Sequence, residues 1–555
     1  MIKQLSILVM IFFSIFTMFG QTQDFVKSDK ITYPIHKANI GKISFMNRNI
    51  TIEDFKQSDF LKSFELKEKT DLNIRVFLKN SLTNSLHLIA PKLTAEELVK
   101  NGNYQFSFFV NQKKIYVENL NVNAGSPDSK NEHKILRIPL LSSTDEDSWG
   151  RFLWNRFLAN GGEEAFSDGE HLLKIEIRPY IKQTEVVTGE IIAKGEIKII
   201  VPKVIIDENL IKFQTIQPLN DWKISDEKIN NTKIEELNRK ILAKEFKNIT
   251  SIVVIKDEKL LIEEYFNEST RNTLHDTRSV GKSFASALLG IAINKGYIKD
   301  QNLSLNSFYN LKNYNNYSTS KDRITLESLL TMSSSFDGSD MNQDSPGNEE
   351  KMYQADNWVD FALNLSIDET KNSNKRWDYF TAGVIILGDV INKSVPNGLE
   401  NFAAENLFKP LEISQYRWQY TPQKIPNTAG SLQLRSLDYA KFGQLYKNQG
   451  NWNGNQILSK GWVQESLSHK IKVSEDEYYG YLFWNKVYKV NDTEYEVYYS
   501  SGNGGNRIFI FKNQPIVIVI TAEAFNTPLG EKQIDKIMEN YLISLTTKKI
   551  NDTLN

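Results

Sequence analysis

Two residues three positions apart offer a nucleophile and a base: Ser279 and Lys282, in Thr277-Arg-Ser-Val-Gly-Lys-Ser-Phe-Ala-Ser-Ala-Leu-Leu-Gly-Ile-Ala-Ile-Asn294. On a helix, positions i and i+3 point about 60° apart and one turn along, so the two side chains can touch. A serine hydroxyl is a weak nucleophile at neutral pH, and a neutral amine within hydrogen-bond reach can take its proton. A free lysine is protonated at that pH, so burial or a neighbouring cation must lower its pKa for the role. The residues that follow are apolar nearly all round, with Phe284, Leu288 and Ile291 on one face and Leu289 and Ala292 on another. This predicts a helix through the core with Ser279 at its N-terminus, where backbone N–H groups and the helix dipole favour developing negative charge.

The same S-x-x-K spacing occurs in Ser225-Asp-Glu-Lys228 and Ser318-Thr-Ser-Lys321. Both lie in polar stretches with no apolar helix behind them and read as chance matches. A Ser/His/Asp triad would have only His275 and His469 to draw on in this half of the chain, and His275 precedes the Ser279 helix by one turn, where a supporting or surface role fits better. There is no H-E-x-x-H and no cysteine, so metal hydrolysis and a cysteine nucleophile are not expected, and no cofactor is expected.

The elements that must position this pair belong to a chain of 555 residues, long enough for at least two domains. The first twenty residues carry Lys3, an apolar run from Leu5 to Phe19 and then Gly20, the order of a secretory signal, so residues 1–20 are expected to be a signal peptide. No later segment is long and apolar enough to span a bilayer, and without cysteine neither disulfides nor a lipidated N-terminus can form. The product is expected to be periplasmic or secreted, not a lipoprotein, with no stable membrane anchor after signal removal. Net charge is −1, from 67 basic and 68 acidic residues, so no overall field favours nucleic acid.

Residues 21–215 read mostly as strands, with alternation in Tyr104-Gln-Phe-Ser-Phe-Phe-Val110, Leu172-Leu-Lys-Ile-Glu-Ile-Arg-Pro-Tyr180 and Gly195-Glu-Ile-Lys-Ile-Ile-Val-Pro202. They predict an all-β sandwich of unknown partner. Within it Trp149-Gly-Arg-Phe-Leu-Trp-Asn-Arg-Phe157 breaks the pattern, either as a short helix covering an edge or, less simply, as the lining of a groove. A linker at 216–232 leads to a second domain at 233–545, and 546–555 is a tail. The second domain opens with helical spacing from Ile234 to Phe246 and two strands, Ser251–Ile255 and Leu260–Phe266, around Lys256-Asp-Glu-Lys259. It closes with strands at Tyr479–Trp484, Arg507–Lys512 and Ile516–Thr521, an α+β pattern; the Asn/Tyr-rich stretch from Asn302 to Asn316 reads as a surface connection.

The Ser279 stretch resembles the nucleophile helix of the serine β-lactamase and penicillin-binding protein superfamily, in its class C-like branch of esterases, D-amino-acid peptidases and amide hydrolases. Asp322-Arg-Ile-Thr-Leu-Glu-Ser-Leu-Leu-Thr-Met-Ser-Ser-Ser-Phe-Asp-Gly338 is similar to the family's helix and Ser/Gly turn between the first and second motifs. Trp377-Asp-Tyr-Phe-Thr-Ala-Gly-Val-Ile-Ile-Leu-Gly-Asp-Val-Ile391 is similar to its Y-x-N motif and the core helix behind it, which places Tyr379 as the proton-transfer tyrosine and Thr381 where the asparagine stands. Tyr498-Tyr-Ser-Ser-Gly-Asn-Gly-Gly-Asn-Arg-Ile-Phe-Ile-Phe511 resembles the strand that carries K-T-G, with Ser500, Ser501 and Gly502 at those positions.

The resemblance spans about residues 230–545. It implies an antiparallel sheet flanked by helices with a mostly helical subdomain, a catalytic set of Ser279, Lys282 and Tyr379, and an oxyanion hole from the backbone N–H groups of Ser279 and Asn503. Two departures stand out. Thr381 lacks the carboxamide of asparagine, and the neutral Ser500 replaces the lysine or histidine that helps to bind a substrate carboxylate, with Arg507 nearby as a less natural substitute. A small neutral ester or amide is the expected substrate. A D-Ala-D-Ala-type carboxypeptidase or weak β-lactamase acting on a peptide or β-lactam, and a catalytically inert binding or sensing protein, are the alternatives.

Overall fold

The computed structural model describes residues 24–547 except 68–69, 123, 143–148, 219, 373–375 and 526–528. The apolar leader at 1–20 and most of the tail lie outside the described residues.

Alternation in the first domain builds two sheets that share one core. Strand Gly169–Lys182 is the centre of the larger sheet, in the order Ser63–Glu65, Ala193–Val201, Gly169–Lys182, Gly102–Val110, Lys113–Asn119, with Val186–Thr188 beside it. Its Leu173, Ile175 and Ile177 turn inwards while the residues between them are half-buried, the period of two that a sheet with one dry face requires. The smaller sheet, Ile43–Met46, Leu72–Phe77 and Ile135–Leu141, presents Phe45, Ile74, Val76 and Ile138 to the same core. The sandwich is closed by helices as well as strands. Leu82 and Leu86 enter its core from helix Leu82–Ile89, and Leu153, Trp154 and Phe157 from helix Trp149–Phe157. The aromatic run at 149–157 therefore packs into the core, as the helix reading expects.

The second domain is organised around nine strands: Lys223–Ile224, Lys259–Tyr265, Ile249–Lys256, Ile516–Ala522, Asn506–Phe511, Thr493–Gly502, Trp484–Val490, Tyr478–Tyr479 and Ile471–Lys472. Every neighbouring pair is antiparallel except the first. Asp257 and Glu258 both take positive φ, 47° and 61°, so the expected hairpin closes through a two-residue turn whose twist suits its strands. Val253, Ile255, Val517 and Val519 face one way, against the buried helices Gly281–Asn294, Thr381–Ser394 and Ser436–Lys447. Ile252, Val254, Ile518 and Ile520 face the other, against helices Asn231–Leu242 and Leu529–Ile537.

Two local expectations need correction. The strand read from Tyr479 to Trp484 is two strands, because Leu482 adopts φ 61° and its N–H turns away to the Leu330 carbonyl at 2.9 Å. The helix read from Ile234 to Phe246 runs Asn231–Leu242, capped by the Asn230 side chain and ended before Lys244 at φ 62°. The stretch Asn302–Asn316 runs mostly over the surface, as expected, and is anchored by the buried Leu305, Tyr309 and Leu311, with the Tyr309 hydroxyl donating to Asp389 at 2.6 Å.

Candidate active site

Ser279 stands in a 3-10 turn, Arg278–Val280, immediately before helix Gly281–Asn294, so the α-helix opens two residues later than its spacing suggests. The preceding residue, Arg278, is in the left-handed region at φ 47°, which for a long side chain stores backbone strain next to Ser279. The turn is held from both sides. Thr277 exchanges bonds with Leu432, its N–H reaching the Leu432 carbonyl at 2.8 Å and its Oγ1 accepting from the Leu432 N–H at 3.2 Å. The Arg278 N–H donates to Asp276 Oδ1 at 2.8 Å.

The spacing of Ser279 and Lys282 becomes contact: Lys282 Nζ lies 2.8 Å from Ser279 Oγ and donates to the Ala429 carbonyl at 2.6 Å. Lys282 is 2% exposed, and burial pushes its ammonium below the usual lysine range, opposed by the carboxylates of Glu349 and Asp340. Tyr379 stands close enough to Ser279 for the serine to draw its pKa downwards, and Lys282 Nζ sits 5.2 Å from the centre of the Tyr379 ring. Burial raises the Tyr379 phenol well above its ordinary value, so this tyrosine rests protonated. Ser279, Lys282 and Tyr379 are thus brought together as a serine, an amine biased towards neutrality and a phenol.

The loop after the Ser/Gly turn holds Tyr379 in place. The Asp378 N–H donates to the Met332 carbonyl at 2.8 Å, and the Tyr379 carbonyl accepts from the Asp340 N–H at 2.8 Å. Lys371 clamps the same junction, pairing with Asp378 at 3.0 Å and donating to the Gly338 carbonyl at 2.8 Å.

Thr381 is 1% exposed and belongs to a carboxylate network that its position in the sequence does not announce. Its N–H donates to Asp340 Oδ2 at 2.6 Å and its hydroxyl to Glu349 Oε2 at 3.2 Å, while the Glu349 N–H caps Asp340 Oδ1 at 2.9 Å. Burial and the neighbouring Glu349 both raise Asp340 above the usual carboxylate range. Asp340 and Glu349 were not among the residues singled out from the sequence. Asp340 lies in a polar loop and Glu349 opens the short helix Glu349–Met352 behind its cap Asn348, and neither position marks a site residue.

On the opposite wall, strand Thr493–Gly502 runs its last residues against the Ser279 turn. A methyl group at Gly502 would lie 2.4 Å from the Thr277 carbonyl oxygen, so only glycine permits this approach. Ser501 is half-buried beside it, and Asn503 follows on the exposed side. Ser500, by contrast, is 1% exposed and turned beneath the helix, where its hydroxyl donates to Ser283 Oγ at 2.8 Å. Arg507 is committed elsewhere: its Nη1 donates to the Gly502 and Asn506 carbonyls, each at 2.9 Å, and its Nη2 pairs with Glu531 at 3.3 Å. Trp377, Tyr379, Tyr479 and Trp484 form an aromatic cluster, with Trp377 and Trp484 ring centres 5.2 Å apart.

The histidines stay outside this site. His275 is buried with its Nδ1 3.3 Å from Thr250 Oγ1, and His469 stacks on Tyr478 at 4.4 Å. The chance match at Ser318 and Lys321 also resolves, with Lys321 Nζ donating to the Asn315 and Leu363 carbonyls at 2.9 and 2.8 Å.

A serine bonded to a buried lysine, close to a protonated tyrosine, at the head of a helix packed against an antiparallel sheet, defines a β-lactamase-like serine hydrolase fold. The family model described as Beta-lactamase matches residues 248–540, and the chain belongs to that family, whose members are generally hydrolases. The curated proteins contain no match to it. Among solved structures, a Bacillus anthracis protein provisionally described as a 6-aminohexanoate-dimer hydrolase is 19% identical, with TM-score 0.46 over 60% of this chain and 88% of that one. The octameric penicillin-binding protein homologue from Pyrococcus abyssi is 16% identical, with TM-score 0.42 over 55% and 76%. A D-stereospecific amidohydrolase from Streptomyces sp. is 17% identical, with TM-score 0.41 over 52% and 92%. At that distance these likenesses say nothing about substrate.

Proposed function

We propose that this protein is an exported serine hydrolase that cleaves a small neutral ester or amide through an acyl-enzyme. The 2.8 Å contact between Ser279 Oγ and the buried Lys282 Nζ carries the reading. Ser279 Oγ attacks the acyl carbonyl as its proton passes to neutral Lys282, and the oxyanion is received by the backbone N–H groups of Ser279 and Asn503. Tyr379 gives its phenolic proton to the leaving group and recovers one from Lys282. Water then attacks the ester to Ser279, the same groups act in reverse, and the acid product leaves.

The preference for a neutral substrate rests on where the cations are. A substrate carboxylate needs a charge-assisted partner, worth about 1.5–3 kcal/mol. Ser500 is neutral and turned under the helix, Arg507 is spent on two carbonyls and Glu531, and Glu349 and Asp340 add negative charge beside Lys282. The aromatic cluster around Tyr379 suits an apolar acyl or leaving group. Export rests on the leader sequence alone.

The test compares short-chain p-nitrophenyl esters, nitrocefin and a D-Ala-D-Ala-terminated peptide on wild type and Ser279→Ala. Ester turnover lost in the variant is expected. A preference of about tenfold or more for nitrocefin or the peptide would overturn the neutral-substrate reading.

A further inference from the structure

The outer face of the small sheet in the first domain carries a row of like charges. Arg75 and Arg137 are direct cross-strand partners, an arrangement that destabilises a sheet unless something of opposite charge lies between them. Arg75 is 2% exposed, makes no ion pair among the described residues, and has its Nε buried without a hydrogen-bond partner. Its guanidinium is gripped on two sides only, 4.4 Å over the Phe55 ring and bonded through Nη2 to the Ile50 carbonyl. Ser44, in the same cross-strand row, also buries an unpartnered hydroxyl.

Arg75 and Arg137 border a cavity of about 680 Å³, the size of a small-molecule site, whose lining also includes Lys30 and Lys134 and a single carboxylate, Asp29. Two further acids lie nearby, and Glu53 attracts Arg75 without forming an ion pair with it. Glu53 accepts the Tyr33 hydroxyl at 2.6 Å, and Asp24 pairs with Lys134 at 3.4 Å. A buried, half-bonded cation is costly, and a rigid guanidinium fork is the group best suited to receive a planar or tetrahedral oxyanion.

We propose that this cavity is a ligand site of the N-terminal domain for a small organic anion, whose carboxylate or phosphate group sits between Arg75 and Arg137. The inference is independent of what the second domain hydrolyses.

The test is calorimetric titration of the full chain with inorganic phosphate and, separately, citrate, against chloride at equal ionic strength. Saturable binding of at least one is expected. Arg137→Gln, at an exposed position that should not impair folding, is expected to weaken it by about tenfold or more. In the absence of anion the same variant should melt no lower than wild type, because it relieves a like-charge pair. No saturable binding of either anion, or equal binding by wild type and an Arg137→Gln/Lys30→Gln double variant, would overturn the proposal. So would a ligand-free Tm that falls in Arg137→Gln, since the arginine would then serve the fold.

Discussion

Arg156 of the N-terminal domain reaches across to the second domain, its Nη1 2.9 Å from Glu350 Oε1, while its Nε holds Glu118 of its own domain at 2.9 Å. Glu350 follows Glu349, whose carboxylate bonds Thr381 and acts on Lys282. Lys182 makes a second crossing to Asp344 at 3.0 Å, on the same loop. The sandwich thus rests on the segment that carries the site's carboxylates. Glu118 is nearly buried, with a side chain 7% exposed, so Arg156→Met should cost about 2–4 kcal/mol of stability by leaving that carboxylate unpaired. Glu350→Gln should cost about 1 kcal/mol or less. Urea unfolding of the two variants checks the difference.

Lys282 makes activity and stability both depend on pH, with the same sign. Burial brings its pKa down to about 8 from an ordinary 10.5, so the amine is increasingly neutral, and acylation faster, as pH rises through about 8. Between about 8 and 10.5 the unfolded chain binds more protons than the native one, so stability also rises with pH across that window. Lys282→Met should abolish turnover, flatten this rise, and raise stability near pH 7 by about 1–3 kcal/mol. Thermal melts at two pH values read it.

Glu349 and Asp340 oppose that depression, since each favours the charged lysine. Glu349→Gln keeps a group that can accept from the Thr381 hydroxyl and removes the charge. The pH–rate midpoint should therefore move to lower pH, and a profile that stays put or moves upwards would show that this carboxylate does not act on Lys282.

Tyr379 rests as a phenol, which assigns it the acid's part in acylation. Tyr379→Phe should cost about 10²–10⁴ in rate. The loss should be larger for an alkyl ester, whose leaving group needs the proton, than for a p-nitrophenyl ester. Equal losses on the two substrates would place the tyrosine with the base.

Gly502 tests the oxyanion hole. Alanine there meets the Thr277 carbonyl and must push strand Thr493–Gly502 off the Ser279 turn, displacing the Asn503 N–H. Loss of one such donor costs about 10²–10³ in kcat. Steady-state kinetics should show the loss in kcat more than in KM, with the fold retained by circular dichroism.

What could be read from the sequence was local or repeated. Ser279 and Lys282 are one turn apart at the head of a helix apolar nearly all round, so their contact follows from helical geometry. The alternation of Leu173, Ile175 and Ile177 likewise marked the central strand of the sandwich. Asp340 was out of reach because its partner Thr381 lies 41 residues away and is joined to it through a backbone N–H, which any residue type could supply. Ser500 could be placed at its motif position, but its inward turn depends on Ser283 across 217 residues of chain. The overextended strand at Tyr479–Trp484 failed on one left-handed residue, Leu482, a conformation that nothing in a leucine announces.

Ser279 is the proposed nucleophile. Intact-mass analysis of wild type and Ser279→Ala after exposure to a fluorophosphonate tests it most directly. One covalent adduct on wild type that is absent from the variant is expected. An unmodified, folded wild type, or an adduct that persists in Ser279→Ala, would contradict it.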